Sequence, residues 1–309
     1  MNQQVERRIE AIRRDNTSGA VALTMQGAET LALLARISQA RSAAAFRAEL
    51  LEAGQMLTEA QPTMASLFNL VNAVLLSADE ARDVEAMWET VEERARVFAA
   101  GLEGRGRRIA EAALGLIPDG ATIMTISYSA TVLTALLRAR DAGRRFQVLC
   151  PESRPQREGV ALAQRLGDEG IEAVVIVDAA AAHFMDRAQL AVVGADSLSA
   201  RGLVNKVGTY GLALAARAHE VPFYALCGTE KFLPSVRLPH LRIEERDPRE
   251  VLPQASANVR AINIYFDRTP LDLLTGVVTE RGLLSPQEVV RALEAIRVHP
   301  GLIPEGGER

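Results

Sequence analysis

The sequence predicts an α/β protein: an N-terminal helical domain over residues 1–117 and a C-terminal domain built on a parallel sheet over residues 118–309. Three observations predict it. Up to about residue 117, apolar residues recur at three- and four-residue spacings with no β-like alternation. At Pro118-Asp119-Gly120 the pattern changes to short apolar runs alternating with helical stretches. A polar loop then follows nearly every one of those runs. A length of 309 residues accommodates two domains.

The elements follow in order. Val5, Ile9 and Ile12 form the apolar stripe of a helix over 3–14, which the run Asp15-Asn16-Thr17-Ser18-Gly19 breaks. Residues 20–39 and 42–57 read as two further helices, the second with Phe46, Leu50 and Leu51 on one face. Gln61-Pro62-Thr63 opens another, with proline in its first turn. The long, charged stretch 79–116 is helical, interrupted late by Gly101, Gly104 and Gly106. Beyond Gly120, strands are expected at 121–126, 146–150, 173–177, 188–193, 222–226 and 259–265, and helices at 131–141, 160–167 and 209–219. Strands and helices alternating in units of roughly 20–30 residues imply a mostly parallel, Rossmann-like sheet covered on both faces.

Composition excludes several classes. Hydrophobic residues are 48% and charged residues 24%, enough for a buried core, and the net charge is only −4. With 4% aromatic residues, neither the field nor the stacking platforms of a nucleic-acid-binding protein are expected. The charged start (Glu6, Arg7, Arg8, Glu10) does not read as a signal peptide, and no apolar run reaches the ~20 residues of a membrane span. A cytoplasmic protein is expected. Cys150 and Cys227 lie in apolar runs and read as buried free thiols. No strand is followed by G-x-G-x-x-G and no phosphate-binding G-x-x-x-x-G-K-[ST] loop occurs, so no cofactor is expected. The four histidines, at 183, 219, 240 and 299, show no metal-ligand spacing, so no metal is expected.

In parallel sheets, ligands sit beyond the carboxyl ends of the strands. The loops there are Ser127-Tyr128-Ser129, Pro151-Glu152-Ser153-Arg154-Pro155, Asp178, Gly194-Ala195-Asp196-Ser197 and Gly228-Thr229-Glu230-Lys231. They assemble two carboxylates for proton transfer (Asp178, Asp196), two cations (Arg154, Lys231) and several hydroxyls in an otherwise apolar half. Ser127 and Ser129 equally suit the cap of the helix that follows. Arg154 is a phosphate clamp or an interface residue. Asp178 reads as a helix start, and Asp267 as a packing or dimer contact.

Several stretches together match one pattern. Gly194-Ala195-Asp196-Ser197 followed by Asn205-Lys206-Val207-Gly208-Thr209 resembles a G-A-D loop and an N-K-[IV]-G-T helix start. Glu152-Ser153-Arg154-Pro155 with Gly159 is similar to E-x-R-P-x-x-x-G, and Thr229-Glu230-Lys231-Phe232 to a strand-end E-x-x-K-F loop. Phe266-Asp267-Arg268-Thr269-Pro270, then Thr279-Glu280-Arg281-Gly282, resemble F-D-x-T-P and T-E-x-G, and Pro62-Thr63 through Asn69 an R-P-T-x-x-x-L-x-N helix. From residue 12 onward the chain thus resembles the superfamily that joins the α, β and δ subunits of translation initiation factor 2B to the isomerases of methylthioribose 1-phosphate and ribose 1,5-bisphosphate.

The resemblance implies a homodimer built through the C-terminal domains, and a pocket between helices and sheet for a phosphorylated sugar or nucleotide. It places Asp196 at the catalytic aspartate and Ser127 where the isomerases carry a catalytic cysteine. A serine hydroxyl is a far poorer acid or base near pH 7 than a thiol of pKa ~8.5. It makes Gly19, Ser129, Arg154, Asn205, Lys206 and Lys231 the binding residues. Two arginines of the pattern read Ser18 and Gln61 here, removing two phosphate-binding forks. Two functions are therefore expected side by side. One is a sugar-1-phosphate aldose–ketose isomerase. The other is a non-catalytic, regulatory-subunit-like protein that senses sugar phosphate or nucleotide, or docks a protein partner.

Overall fold

A computed structural model describes residues 2–15 and 18–303. Five helices come first: α1 (Gln3–Arg14), α2 (Ala20–Ile37), α3 (Ala43–Ala60), α4 (Ala65–Ala78) and α5 (Val84–Ala113). Val5, Ile9 and Ile12 are the buried face of α1, as their spacing requires. Of the break predicted at 15–19, residues 16 and 17 lie outside the described residues. Pro62 does not open α4. The chain turns at 61–64 and the helix begins at Ala65, with Met64 as its N-cap. Gly101, Gly104 and Gly106 do not interrupt α5 either. Buried Leu102 and Ile109 hold the helix through them, outweighing roughly 1 kcal/mol of propensity per glycine. Val84 to Leu102 pack into the helical core, whereas Ile109 to Ala113 pack against the sheet, so α5 is a rod shared by both halves.

The sheet has seven strands in the order β10-β9-β7-β4-β1-β2-β3. They are β1 (Ala121–Met124), β2 (Phe146–Pro151), β3 (Glu172–Ile176), β4 (Leu190–Val193), β7 (Phe223–Leu226), β9 (Gly276–Thr279) and β10 (Gly282–Leu284), parallel throughout except for the β9–β10 pair. Helices α6 (Ala130–Asp141) and α7 (Glu158–Asp168) join the end of α5 on one face, and α8 (Thr209–Ala218) and α9 (Pro286–Glu294) cover the other. The chain runs β1, β2, β3 outward in one direction, then returns to place β4 on the other side of β1. The strand order therefore reverses between β1 and β4, where a crevice opens at the carboxyl ends.

A second, antiparallel sheet orders β5 (Ser197–Ser199), β6 (Gly202–Lys206) and β8 (Phe266–Thr269). The expected strand at 259–265 is thus misplaced. Residues 259–263 are irregular, Val259 and Ile262 are exposed, and the strand is the more polar Phe-Asp-Arg-Thr run that follows. Its register pairs Asn205 with Asp267.

Asp267 accepts hydrogen bonds from the backbone N–H of Gly208 at 2.7 Å and of Tyr210 at 3.2 Å, tying β8 to the start of α8. Burial pushes its carboxyl up to about 6 against the pull of those two donors. The folded protein therefore holds a proton that the unfolded chain releases near pH 3.8. The associated stability is complete below that pH and lost as pH rises through about 6. Asp267→Asn is expected to remove this dependence. The wild-type advantage over the variant in denaturant titrations should shrink by on the order of 1 kcal/mol between pH 4 and 7, after solvent screening.

Candidate functional site

The loops after β1 and β4 flank the reversal of strand order, and both turn into a cavity of about 580 Å³. Its floor is Ser127, Tyr128 and Ser129 after β1 and Gly194, Ala195 and Asp196 after β4. Asn205 and Lys206 enter from β6, and Lys231 from the turn after β7. The helical half supplies the opposite wall through Asp15, Ser18, Gly19, Met25, Gln61 and Met64. Gly19 is the N-cap of α2 and has no side chain to cap it, so the amino end of an 18-residue helix opens at this wall. Of the residues singled out in the sequence, Asp196, Ser127, Ser129, Asn205, Lys206, Lys231 and Gly19 line one cavity. Arg154 does not; it is exposed, and its backbone N–H donates to Asp178 Oδ2 at 2.8 Å. Asp178 also accepts from the N–H of Ser153 at 2.7 Å, so it fastens this loop rather than facing a ligand.

Asp196 is held by its backbone. Its N–H donates to the Val204 carbonyl at 2.9 Å, and its own carbonyl accepts from the N–H of Ala65 at 3.2 Å, which fixes the β4 loop to the start of α4. The carboxyl accepts no hydrogen bond from a described residue. Burial pushes it above the usual aspartate range, Lys231 and Lys206 pull it partly back, and Glu158 adds to the rise. Lys231 is buried and donates to the Ala195 carbonyl next in chain to Asp196. Asn205 Nδ2 donates to Thr209 Oγ1 at 3.0 Å, which leaves the amide oxygen toward the β4 loop. Gly194 permits that closeness: a Cβ there would stand 2.5 Å from Ser129 Oγ.

Ser127 has φ +63°, a left-handed conformation that a non-glycine residue adopts only under constraint. The constraint is the Ser153 hydroxyl, which accepts the Ser127 N–H at 2.8 Å. Ser129 is the N-cap of α6 and accepts from the N–H of Val132 at 3.4 Å. Ser129 thus caps the helix, while both serines line the cavity floor. Neither cysteine substitutes for a thiol here. Cys150 and Cys227 are fully buried, and desolvation pushes both thiols up to about 12.

The sequence reading missed Glu158, Gln156, Arg246 and Tyr265, which complete the cavity. Glu158 forms an ion pair with Lys206, whose Nζ also lies 4.9 Å from the centre of the Tyr265 ring. Tyr265 donates to Glu250 Oε2 at 2.6 Å and accepts from Gln156 Nε2 at 2.5 Å. The Arg246 guanidinium lies over the same ring, 5.6 Å from its centre.

The chain as a whole resembles known proteins. The sequence profile of the initiation factor 2 subunit family matches residues 16–286. The chain belongs to that family. It is 36% identical over 282 residues to a ribose 1,5-bisphosphate isomerase of Archaeoglobus fulgidus, covering 90% of this chain and 88% of that one. Its fold superposes on the translation initiation factor eIF-2B of Pyrococcus horikoshii OT3 with a TM-score of 0.81 at 33% identity, over 93% of this chain and 98% of that one. It also superposes on the 5-methylthioribose 1-phosphate isomerase of the same organism with a TM-score of 0.73 at 29% identity, over 94% of this chain and 86% of that one. The family thus includes both isomerases and initiation-factor-like proteins, and the fold is shared by both.

Proposed function

We propose that this chain binds a phosphorylated sugar in the cavity between the helices and the sheet and isomerises it from aldose to ketose. The observation that carries the reading is Asp196, a carboxyl at the reversal of strand order that accepts no hydrogen bond from a described residue, is pushed above the usual aspartate range by desolvation and is pulled partly back by two buried lysines. A carboxyl shifted in this direction, in a cavity, is a candidate general acid–base group. In the reaction, the ring C1–O bond breaks and the ring oxygen takes a proton. The proton on C2 is removed, giving an enol. A proton then returns to C1 as the C2 hydroxyl gives up its own, leaving a ketone with no atom gained or lost. Asp196 serves one of these transfers, with Ser127 at the complementary position. Asn205, Lys206 and Lys231 hold hydroxyls and phosphate, and the α2 amino end with Gly19 adds donors for an anion.

The relatives named as isomerases support this reading. The second reading, a non-catalytic sensor or partner-docking protein, is favoured by one observation: a serine stands at the position the resemblance gives to cysteine, and no other thiol reaches the cavity. A homodimer belongs to the same proposal. At the outer edge strand β3 and just beyond it, Val174, Val175 and Val177 are exposed, an apolar edge suited to a second copy. No described helix is long and apolar enough to cross a membrane, and a cytoplasmic enzyme is proposed.

A thermal-shift screen against sugar phosphates and nucleotides tests the binding. A ligand at about 100 times its Kd adds about 2.7 kcal/mol and raises Tm visibly. The absence of any shift with sugar phosphates would refute the reading. Ser127→Cys carries a sharper expectation. It places a thiol of pKa ~8.5 where the hydroxyl stands, so isomerisation should accelerate tenfold or more. An unchanged or lower rate in a folded variant would remove Ser127 from the reaction.

A further inference from the structure

The charges lining the cavity cancel. Among the described residues they are Asp15, Glu158, Asp196, Lys206, Lys231 and Arg246, three acids against three cations. Each cation is already engaged. Lys206 is paired with Glu158, Lys231 donates to the Ala195 carbonyl beside Asp196, and Arg246 lies 3.5 Å from Glu244. The helical wall adds no side-chain cation, only the amino end of α2. Gln61 stands there with its amide donating to the carbonyls of Ile12 at 2.8 Å and Asp15 at 3.1 Å, so both of its N–H groups are committed to holding the chain. A phosphate group brings about −1.5 to −2 charges at pH 7. Lys231 and Arg246 remain as cations for one such group, Arg246 by leaving its more exposed partner Glu244. A second phosphate would find no further side-chain cation, only the α2 amino end beside Asp15 or the carboxylate of Glu158.

Glu158 is the deciding side chain. Its Oε1 neutralises Lys206, and its Oε2 is buried without a hydrogen-bond partner. An unfilled acceptor at a cavity wall calls for a neutral donor such as a sugar hydroxyl. We propose that Glu158 sets the charge selectivity of this cavity: it pairs Lys206 and leaves an open acceptor, which fits the site to a sugar carrying one phosphate and free hydroxyls and rejects a second phosphate. The proposal rests on the phosphorylated-sugar reading above. Glu158 acts through Lys206 and is a positioning residue for charge.

The test is calorimetric titration of the full-length protein with ribose 1-phosphate and with ribose 1,5-bisphosphate. The wild type is expected to bind the monophosphate at least tenfold tighter. Glu158→Gln frees Lys206 at constant shape and is expected to shift the ratio toward the bisphosphate by tenfold or more. Glu158→Asp keeps the charge and should retain the wild-type preference. A purely structural role would weaken both ligands alike and leave their ratio unchanged in Glu158→Gln, which would overturn the proposal. Tighter binding of the bisphosphate by the wild type would overturn it with no variant needed, and would leave the phosphorylated-sugar reading intact. Binding of neither sugar would bring down that reading and the proposal together.

Discussion

Asp196→Asn is expected to reduce turnover of a sugar phosphate by roughly a thousandfold while leaving the fold in place. The size follows from removing a general acid–base group, which contributes 10²–10⁴ to rate. The preserved fold follows from what holds the loop. Asp196 is fixed by its backbone bonds to Val204 and Ala65, and its carboxyl accepts no hydrogen bond from a described residue. Burial disfavours its charged form, so the neutral amide removes a desolvation penalty. Tm at pH 7 should therefore be unchanged or higher, and ligand binding should persist through Lys206, Lys231 and Asn205. Circular dichroism melting and an initial-rate assay on the same preparation check both parts. A variant that keeps its rate would remove Asp196 from the chemistry, and one that melts early would make its role structural.

Gly159→Ala, in the first turn of α7, is expected to produce the largest loss of stability of any glycine-to-alanine change among the described residues. A Cβ at Gly159 would lie 1.8 Å from the Pro151 carbonyl oxygen and 2.9 Å from its carbon, a clash with backbone that no rotamer relieves. One or both chains must move, at a cost of roughly 3 kcal/mol or more. The movement should reach the cavity. Ser153, whose hydroxyl lies 3.1 Å from the same added carbon, is the acceptor that holds Ser127 in its left-handed conformation. The expected result in urea titration is a lower midpoint with an unchanged slope. Ligand affinity should fall as well, although residue 159 does not line the cavity. By contrast, a Cβ at Gly194 meets side-chain atoms first, Ser129 Oγ at 2.5 Å and Cβ at 2.7 Å, rather than a backbone carbonyl.

Much of this arrangement was legible in the sequence, and the parts that were not share physical causes. The buried strands β1, β2, β4 and β7 announced themselves as apolar runs because parallel strands are covered on both faces. The polar loops after them stood out against that background, which brought Asp196, Ser127 and Lys231 forward. The small antiparallel sheet was hidden because β6 ends in Asn205-Lys206 and β8 reads Phe-Asp-Arg-Thr, polar runs that resemble loops. β6 is buried along its whole length and β8 is mostly half-buried, so neither leaves an alternation to read. Glu158 was missed for a related reason. An acidic residue in the first turn of a helix serves the helix dipole equally well. Only the fold brings it to Lys206, 48 residues later. Arg154 failed in the opposite direction, since a cation in a strand-end loop is a natural phosphate ligand until the loop's own geometry turns it outward.

The most direct test of the central claim is conversion itself. Carbon-13 NMR of C1-labelled ribose 1-phosphate, ribose 1,5-bisphosphate and 5-methylthioribose 1-phosphate, each incubated with the purified protein, follows the anomeric carbon in real time. The account predicts that the anomeric signal of at least one of them is replaced by the CH₂ signal of a ketose phosphate, at a rate that Asp196→Asn lowers roughly a thousandfold. Saturating binding of a sugar phosphate with an anomeric signal that never changes would contradict it and establish a sensor on this scaffold.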